Sequence, residues 1–140
     1  MKCALRAIAM MAVILFAAPA FAEDAMTTRV LLKTGITNIG QEIVYPSQGK
    51  PEITTMIIEI APGGSTPLHQ HPVPLVGYIL QGQLEVRAEG GTVNRYQPGD
   101  AFVEALNHAH QGFNVGPDPV RILATVIGIA GEGYSVPAKR

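Results

Sequence analysis

The chain is poor in the residues that most simply declare a chemistry. It has no tryptophan, a single cysteine (Cys3) and only 6% aromatic residues. One cysteine excludes an intramolecular disulfide framework and any paired-thiolate metal or redox site. Charge is scarce as well: 10 Lys+Arg stand against 11 Asp+Glu in 140 residues, a net charge of −1. Without an excess of cations there is little to neutralise phosphates, so a nucleic-acid partner is not expected, nor is a polybasic membrane-surface role. The length suits one domain.

Hydrophobic residues make up 47% of the chain, but they are unevenly spread. Residues 1–22, MKCALRAIAMMAVILFAAPAFA, depart from the hydrophobic class only at Lys2, Arg6 and Pro19. A basic start, an apolar run from Ala7 to Phe16 and an Ala20-Phe21-Ala22 ending are the layout of a cleaved secretory signal peptide, with cleavage before Glu23. The apolar run is short for a bilayer span of roughly 20 residues, so no stable membrane anchor is expected after cleavage. Cys3 precedes that run, which disfavours lipoprotein processing. The expected mature domain, residues 23–140, loses its only cysteine and carries 8 Lys+Arg against 11 Asp+Glu. The periplasm of a Gram-negative bacterium is the expected destination.

No stretch of residues 23–140 has a helical period. Short runs rich in Val, Ile, Leu, Thr and Tyr alternate with Gly and Pro punctuation instead. The runs read as strands are Arg29–Lys33, Glu42–Tyr45, Ile53–Ile60, Val76–Leu80, Gln83–Glu89, Thr92–Gln97, Ala101–Ala105, His108–Val115 and Val120–Ile129. Turn signals separate them; Pro98-Gly99 suits a type II turn, with Pro setting the second position and Gly supplying positive φ at the third. An all-β sandwich or barrel follows. The apolar runs argue against disorder despite the high Gly and Pro content. By region, 23–52 reads as N-terminal edge strands and loops, 53–130 as a barrel core and 131–140 as a C-terminal tail.

The four histidines form two H-x-H pairs, His69/His71 and His108/His110. Residues i and i+2 of an extended chain share a face. Each pair can therefore aim two imidazoles one way, and imidazole is the commonest metal ligand. A single such pair is more often a surface or core accident, but two pairs with no other histidine are harder to dismiss. Upstream, Gly63 precedes His69 by six residues, and a strand then ends at Gly82; downstream, Gly99 precedes His110 by eleven and Asn114 follows it by four.

With these residues the chain resembles the cupin superfamily, whose motifs are G-x5-H-x-H-x3,4-E-x6-G and G-x5-P-x-G-x2-H-x3-N. Gly63, His69, His71 and Gly82 match the first; Gly99, His110 and Asn114 match the second. The resemblance covers about Ile53 to Ile129. It implies a single-domain jelly-roll β-barrel and one divalent transition metal (Fe, Mn, Ni, Cu or Zn) held by His69, His71 and His110; imidazole ligands alone do not choose among these ions. It also implies a homodimer formed through edge strands, with Arg29–Lys33 as the candidate edge.

Two departures matter. The first-motif glutamate is replaced by Leu75, seven residues before Gly82, and the second-motif Pro and Gly by Ala105 and Asn107. Asn107 suits a left-handed turn. Strand parity puts Glu104 on the face of Phe102, pointing inward. Glu104 is thus a candidate fourth ligand or an acid/base group beside the metal, the alternative being a solvated glutamate. His108 is a candidate proton-transfer group at the cavity mouth or a solvent-facing residue. Asn114 is expected to support the barrel. Glu59, Glu85, Arg87 and Glu89 read as a solvated face, and Met56, Ile58, Ile60, Leu75, Ile79 and Phe102 as an apolar wall suited to a small, partly apolar ligand. The expected function is a metal-dependent enzyme on such a molecule, of oxygenase (dioxygenase) or isomerase type. The alternatives are a non-catalytic exported metal- or metabolite-binding protein and a cupin whose site has decayed to core.

Overall fold

The computed structural model describes residues 26–138, so the signal-peptide reading of residues 1–22 lies outside the described residues. Among the described residues nine strands form: β1 (Pro51–Ile60), β2 (His69–Gln70), β3 (Leu75–Gln81), β4 (Leu84–Ala88), β5 (Val93–Tyr96), β6 (Ala101–Val103), β7 (His110–Asn114), β8 (Val120–Ile129) and β9 (Val136–Pro137). Among the described residues there is no helix. Two antiparallel sheets result, ordered β1-β8-β3-β6 and β5-β4-β7-β2-β9. Only β4 and β5 are consecutive neighbours in one sheet; the other connections pass between sheets, as in a jelly roll.

Alternation drives the packing. β8 buries Val120, Ile122, Ala124 and Val126 while Arg121 and Leu123 face outward, and its ten residues pair along the whole of β1. Inward residues of both sheets meet in a core that includes Ile60, Ile79, Leu84, Val86, Phe102, Val120 and Ile122. Tyr96 stacks on Phe102 with ring centroids 4.1 Å apart. Gly77 lies opposite Phe102, and a Cβ there would stand 2.6 Å from the ring, so the missing side chain is what lets the ring lie flat. Gly82 is required for its backbone: φ is +81°, and a Cβ would stand 2.6 Å from the Pro119 carbonyl oxygen. Gly99 has φ of +98° and Asp100 N donates to Gln97 O, as the type II turn requires.

The N-terminal edge expected at Arg29–Lys33 does not form, and neither does the strand at Glu42–Tyr45. A lone bridge, Ile36 with Glu42, is the only pairing there among the described residues. Val30, Leu31 and Leu32 are consecutive apolar residues, so no alternate set could be buried while the other faced water. The edges of the four-stranded sheet are β1 and β6. Glu85 is also not solvated. It is 4% exposed, held between Arg87 (2.7 Å) and Arg95 (2.7 Å) on the outer face of β4. Hydrogen bonds from Arg95 and then Arg87 hold its carboxyl below the usual range. The segment expected as a tail supplies β9.

Candidate metal centre

His69, His71, His110 and Glu104 converge: one ligand atom from each lies within 4.8 Å of every other. Two ligand atoms sharing one ion at bonds of about 2.1 Å stand at most about 4.2 Å apart, so the widest pair would need to close by about half an ångström. His69 reaches the site from β2 and pairs across the sheet with His110 of β7. His71 follows β2 and bridges Leu106. The H-x-H rule therefore brings His69 and His71 together. It fails for the second pair, because Asn107 takes φ of +48° and His108 lies before β7 begins. The His108 ring turns to the Glu89 carbonyl (Nε2 to O 2.8 Å) and does not line the cavity.

The tautomers follow from the backbone. His69 Nδ1 is 2.7 Å from Pro67 O, His71 Nδ1 2.7 Å from Tyr134 O, and His110 Nδ1 2.8 Å from His108 O. A carbonyl oxygen only accepts, so each Nδ1 carries hydrogen and each ring turns Nε2 to the centre. Glu104 Oε2 stands 2.6 Å from His71 Nε2 and 3.4 Å from His110 Nε2. In neutral rings these are lone pairs facing a carboxylate, and His71 Nε2 is buried with no well-aligned hydrogen bond. A proton relieves one such contact; a divalent cation relieves all of them. The donor set therefore fits a metal ion.

The electrostatics agree. Burial works to raise the Glu104 carboxyl, but when His110 and His71 also carry a proton on Nε2 their hydrogen bonds and charges outweigh it and hold the value at about 2. For His110 burial works downward, and the Glu104 hydrogen bond and charge prevail to raise it. Burial lowers His69, against the Pro67 hydrogen bond.

Glu104 lies just beyond β6, where its N–H donates to Leu75 O at 3.0 Å. Two residues outside the motifs hold this segment in place. Asn38 N donates to Val103 O, and the Gln41 side chain both donates to Leu106 O and accepts from Leu106 N. Sequence reasoning missed both, and Tyr134 with them, because a loop N–H, a side-chain amide or a carbonyl 63 residues from its histidine leaves no local pattern. Asn114 does support the barrel: Nδ2 donates to Ile60 O and Asp118 O, and Oδ1 accepts from Gly116 N.

Beside the cluster lies a cavity of about 390 Å³, walled by Met56, Ile58, Ile60, Leu75, Leu84, Val86 and Ile122, with Thr66, Tyr134 and Ser135 as polar groups. Ile79 and Phe102, expected in this wall, are core residues instead. Among the described residues no Lys or Arg lines it.

A small β jelly roll with three imidazoles and a carboxylate on its inner wall is the class these observations define. The family model described as "Cupin domain" matches residues 56–126, just over half the chain. This protein belongs to the cupin family. Among solved structures it is similar to the oxalate decarboxylase of Lactobacillus farciminis, solved as a formate complex, at 27% identity and TM-score 0.53, covering 61% of this chain and 26% of that one. It is similar to the DMSP lyase DddQ of Ruegeria pomeroyi at 26% identity and TM-score 0.54, covering 61% and 43%. An uncharacterized double-stranded β-helix protein of Klebsiella pneumoniae shares the fold at 21% identity and TM-score 0.54, covering 69% and 91%. The chain thus spans less than half of either enzyme. No curated protein matches it in sequence.

Proposed function

We propose that this chain is an exported cupin that holds one divalent transition metal on His69, His71, His110 and Glu104 and acts as a metal-dependent dioxygenase on a small, partly apolar molecule. The observation that carries this reading is the convergence of four donors, three of which (His69, His71 and Glu104) line an apolar cavity. A bound ion would supply Lewis acidity or redox chemistry and leave positions for small ligands. The carbonyls of Pro67, Tyr134 and His108 fix the three rings, the apolar wall excludes water, and Thr66 and Ser135 can orient a polar end of the substrate. With the four donors committed to the ion, no further carboxylate or imidazole lines the cavity among the described residues. That favours chemistry centred on the ion over general-base chemistry. The same observation keeps one second reading: a non-catalytic carrier of metal or metabolite.

Elemental analysis after exposure to Fe, Mn, Ni, Cu or Zn tests the site. Uptake of about one ion per chain by the wild type and none by His69→Ala/His71→Ala supports it, and equal uptake refutes it. Oxygen consumption with small aromatic and dicarbonyl compounds then separates dioxygenase from carrier. Export is inferred from residues 1–22, and a periplasmic product beginning at Glu23 would support it. A homodimer is inferred as well, for which the outer face of the four-stranded sheet is the candidate contact.

A further inference from the structure

Two of the three imidazoles are oriented by carbonyls two residues away, at Pro67 and His108, whereas His71 depends on Tyr134, 63 residues downstream. Tyr134 belongs to a strap, residues 131–138, that leaves β8 at a turn with Gly131 at φ +83° and returns along the cavity to pair with β2. The strap pairs with the strand that carries the ligands. Pro137 lies opposite His69, Val136 opposite Gln70, and Ala138 N donates to Leu68 O at 3.3 Å. Tyr134, Ser135 and Pro137 line the cavity. No residue of the strap is buried, so little apolar area holds it closed and local opening costs little.

We propose that this strap is a positioning lid: closed, it fixes His71 toward the metal and covers the substrate cavity, and metal occupancy and closure stabilise one another. Opening removes the acceptor that keeps hydrogen on His71 Nδ1, so the ring is free to rotate or change tautomer. Outer partners of this kind typically change metal affinity by about 10–100-fold. Linkage then requires the converse, that metal favours the closed strap by the same factor. The event that uncovers the cavity is thereby the event that loosens a ligand.

The proposal rests on the metal reading, and the experiment separates the two. Hydrogen exchange of the full chain is followed with and without Zn(II) or Mn(II), and metal affinity is titrated for the wild type, a variant ending at Ala130, and Tyr134→Ala. The expected results are exchange slowed about tenfold or more across 131–138 by metal, and a metal Kd raised about 10–100-fold by truncation. Tyr134→Ala keeps its backbone carbonyl and should hold the metal Kd within about twofold. Wild-type binding with unchanged strap exchange, or a folded truncation with unchanged Kd, overturns the strap alone. If truncation prevents folding, the exchange measurement decides. Absence of metal binding in the wild type overturns both readings.

Discussion

Leu75 and Glu104 stand opposite one another on adjacent antiparallel chains. Their register continues the pairs Val76 with Val103 and Gly77 with Phe102, and Glu104 N donates to Leu75 O at 3.0 Å. Residues directly opposite in a sheet project from the same face, with Cβ atoms about 5 Å apart. A carboxylate lost at Leu75 and present at Glu104 has therefore moved one strand sideways while addressing the same space. Glu104→Leu should weaken metal binding by at least about tenfold, or 1.4 kcal/mol. Leu75→Glu/Glu104→Leu should recover part of it. Titration against a chelator measures both, and a double variant no better than Glu104→Leu would show that the two positions are not equivalent.

The pH response follows from competition between protons and metal. Glu104, held at about 2, stays ionised throughout the neutral range and contributes no proton. His110 is raised, so it gains a proton above the ordinary histidine value of about 6.5. Metal affinity should thus begin to fall above pH 6.5 on acidification and continue downward, with proton release on binding. Calorimetry in buffers of different ionisation enthalpy checks this; affinity flat between pH 8 and 6 would contradict it. For the metal-free protein, the depressed Glu104 value contributes stability above about 4.5, lost as pH falls toward about 2. Acid unfolding compared with Glu104→Gln tests that part.

Much of the fold was legible in the sequence, and the part that was not has a physical reason. Val120–Ile129 coincides with β8, and from Val120 to Val126 every second residue is buried. Strands β2 and β9 were invisible because two residues carry no period, and only tertiary pairing makes them strands. Arg29–Lys33 misled in the opposite way, since β-prone residues without alternation lack a face to bury. At the site, the i, i+2 rule placed His69 and His71 correctly and parity aimed Glu104 inward. His108 escaped the rule because Asn107 breaks the extended chain directly before it. Gln41 and Tyr134 act through contacts with no sequence signature.

Two glycines of nearly equal φ separate conformational cost from close approach. Gly82 (φ +81°) would place a Cβ 2.6 Å from Pro119 O and 2.7 Å from the Val120 Cα, whereas Gly90 (φ +85°) has nothing within 4 Å. Gly90→Ala should cost about 1–2 kcal/mol, the ordinary penalty of a left-handed residue. Gly82→Ala carries the same penalty and must also displace backbone, so it should cost clearly more. For a domain of this size, each kcal/mol corresponds to roughly 4 °C in Tm. Thermal melts giving equal losses would mean that the Gly82 turn relaxes freely.

The outer face of the four-stranded sheet bears on assembly. Ile57 of β1 and Leu123 of β8 are cross-strand partners, 45% and 37% exposed, and Tyr78 of β3 pairs with Leu123 on its other side. Ile53, four residues earlier on the same face of β1, is 62% exposed. An apolar row across the middle of a sheet is matched by a second copy of itself about a two-fold axis, which leaves no unmatched surface. Ile57→Glu/Leu123→Glu should convert a dimer to monomer in light scattering, because like charges would then meet across the axis. Both side chains point away from the cavity, so metal binding should be retained. A wild type already monomeric at high micromolar concentration would refute the dimer; a dimer that survives the double substitution would move the contact to another face.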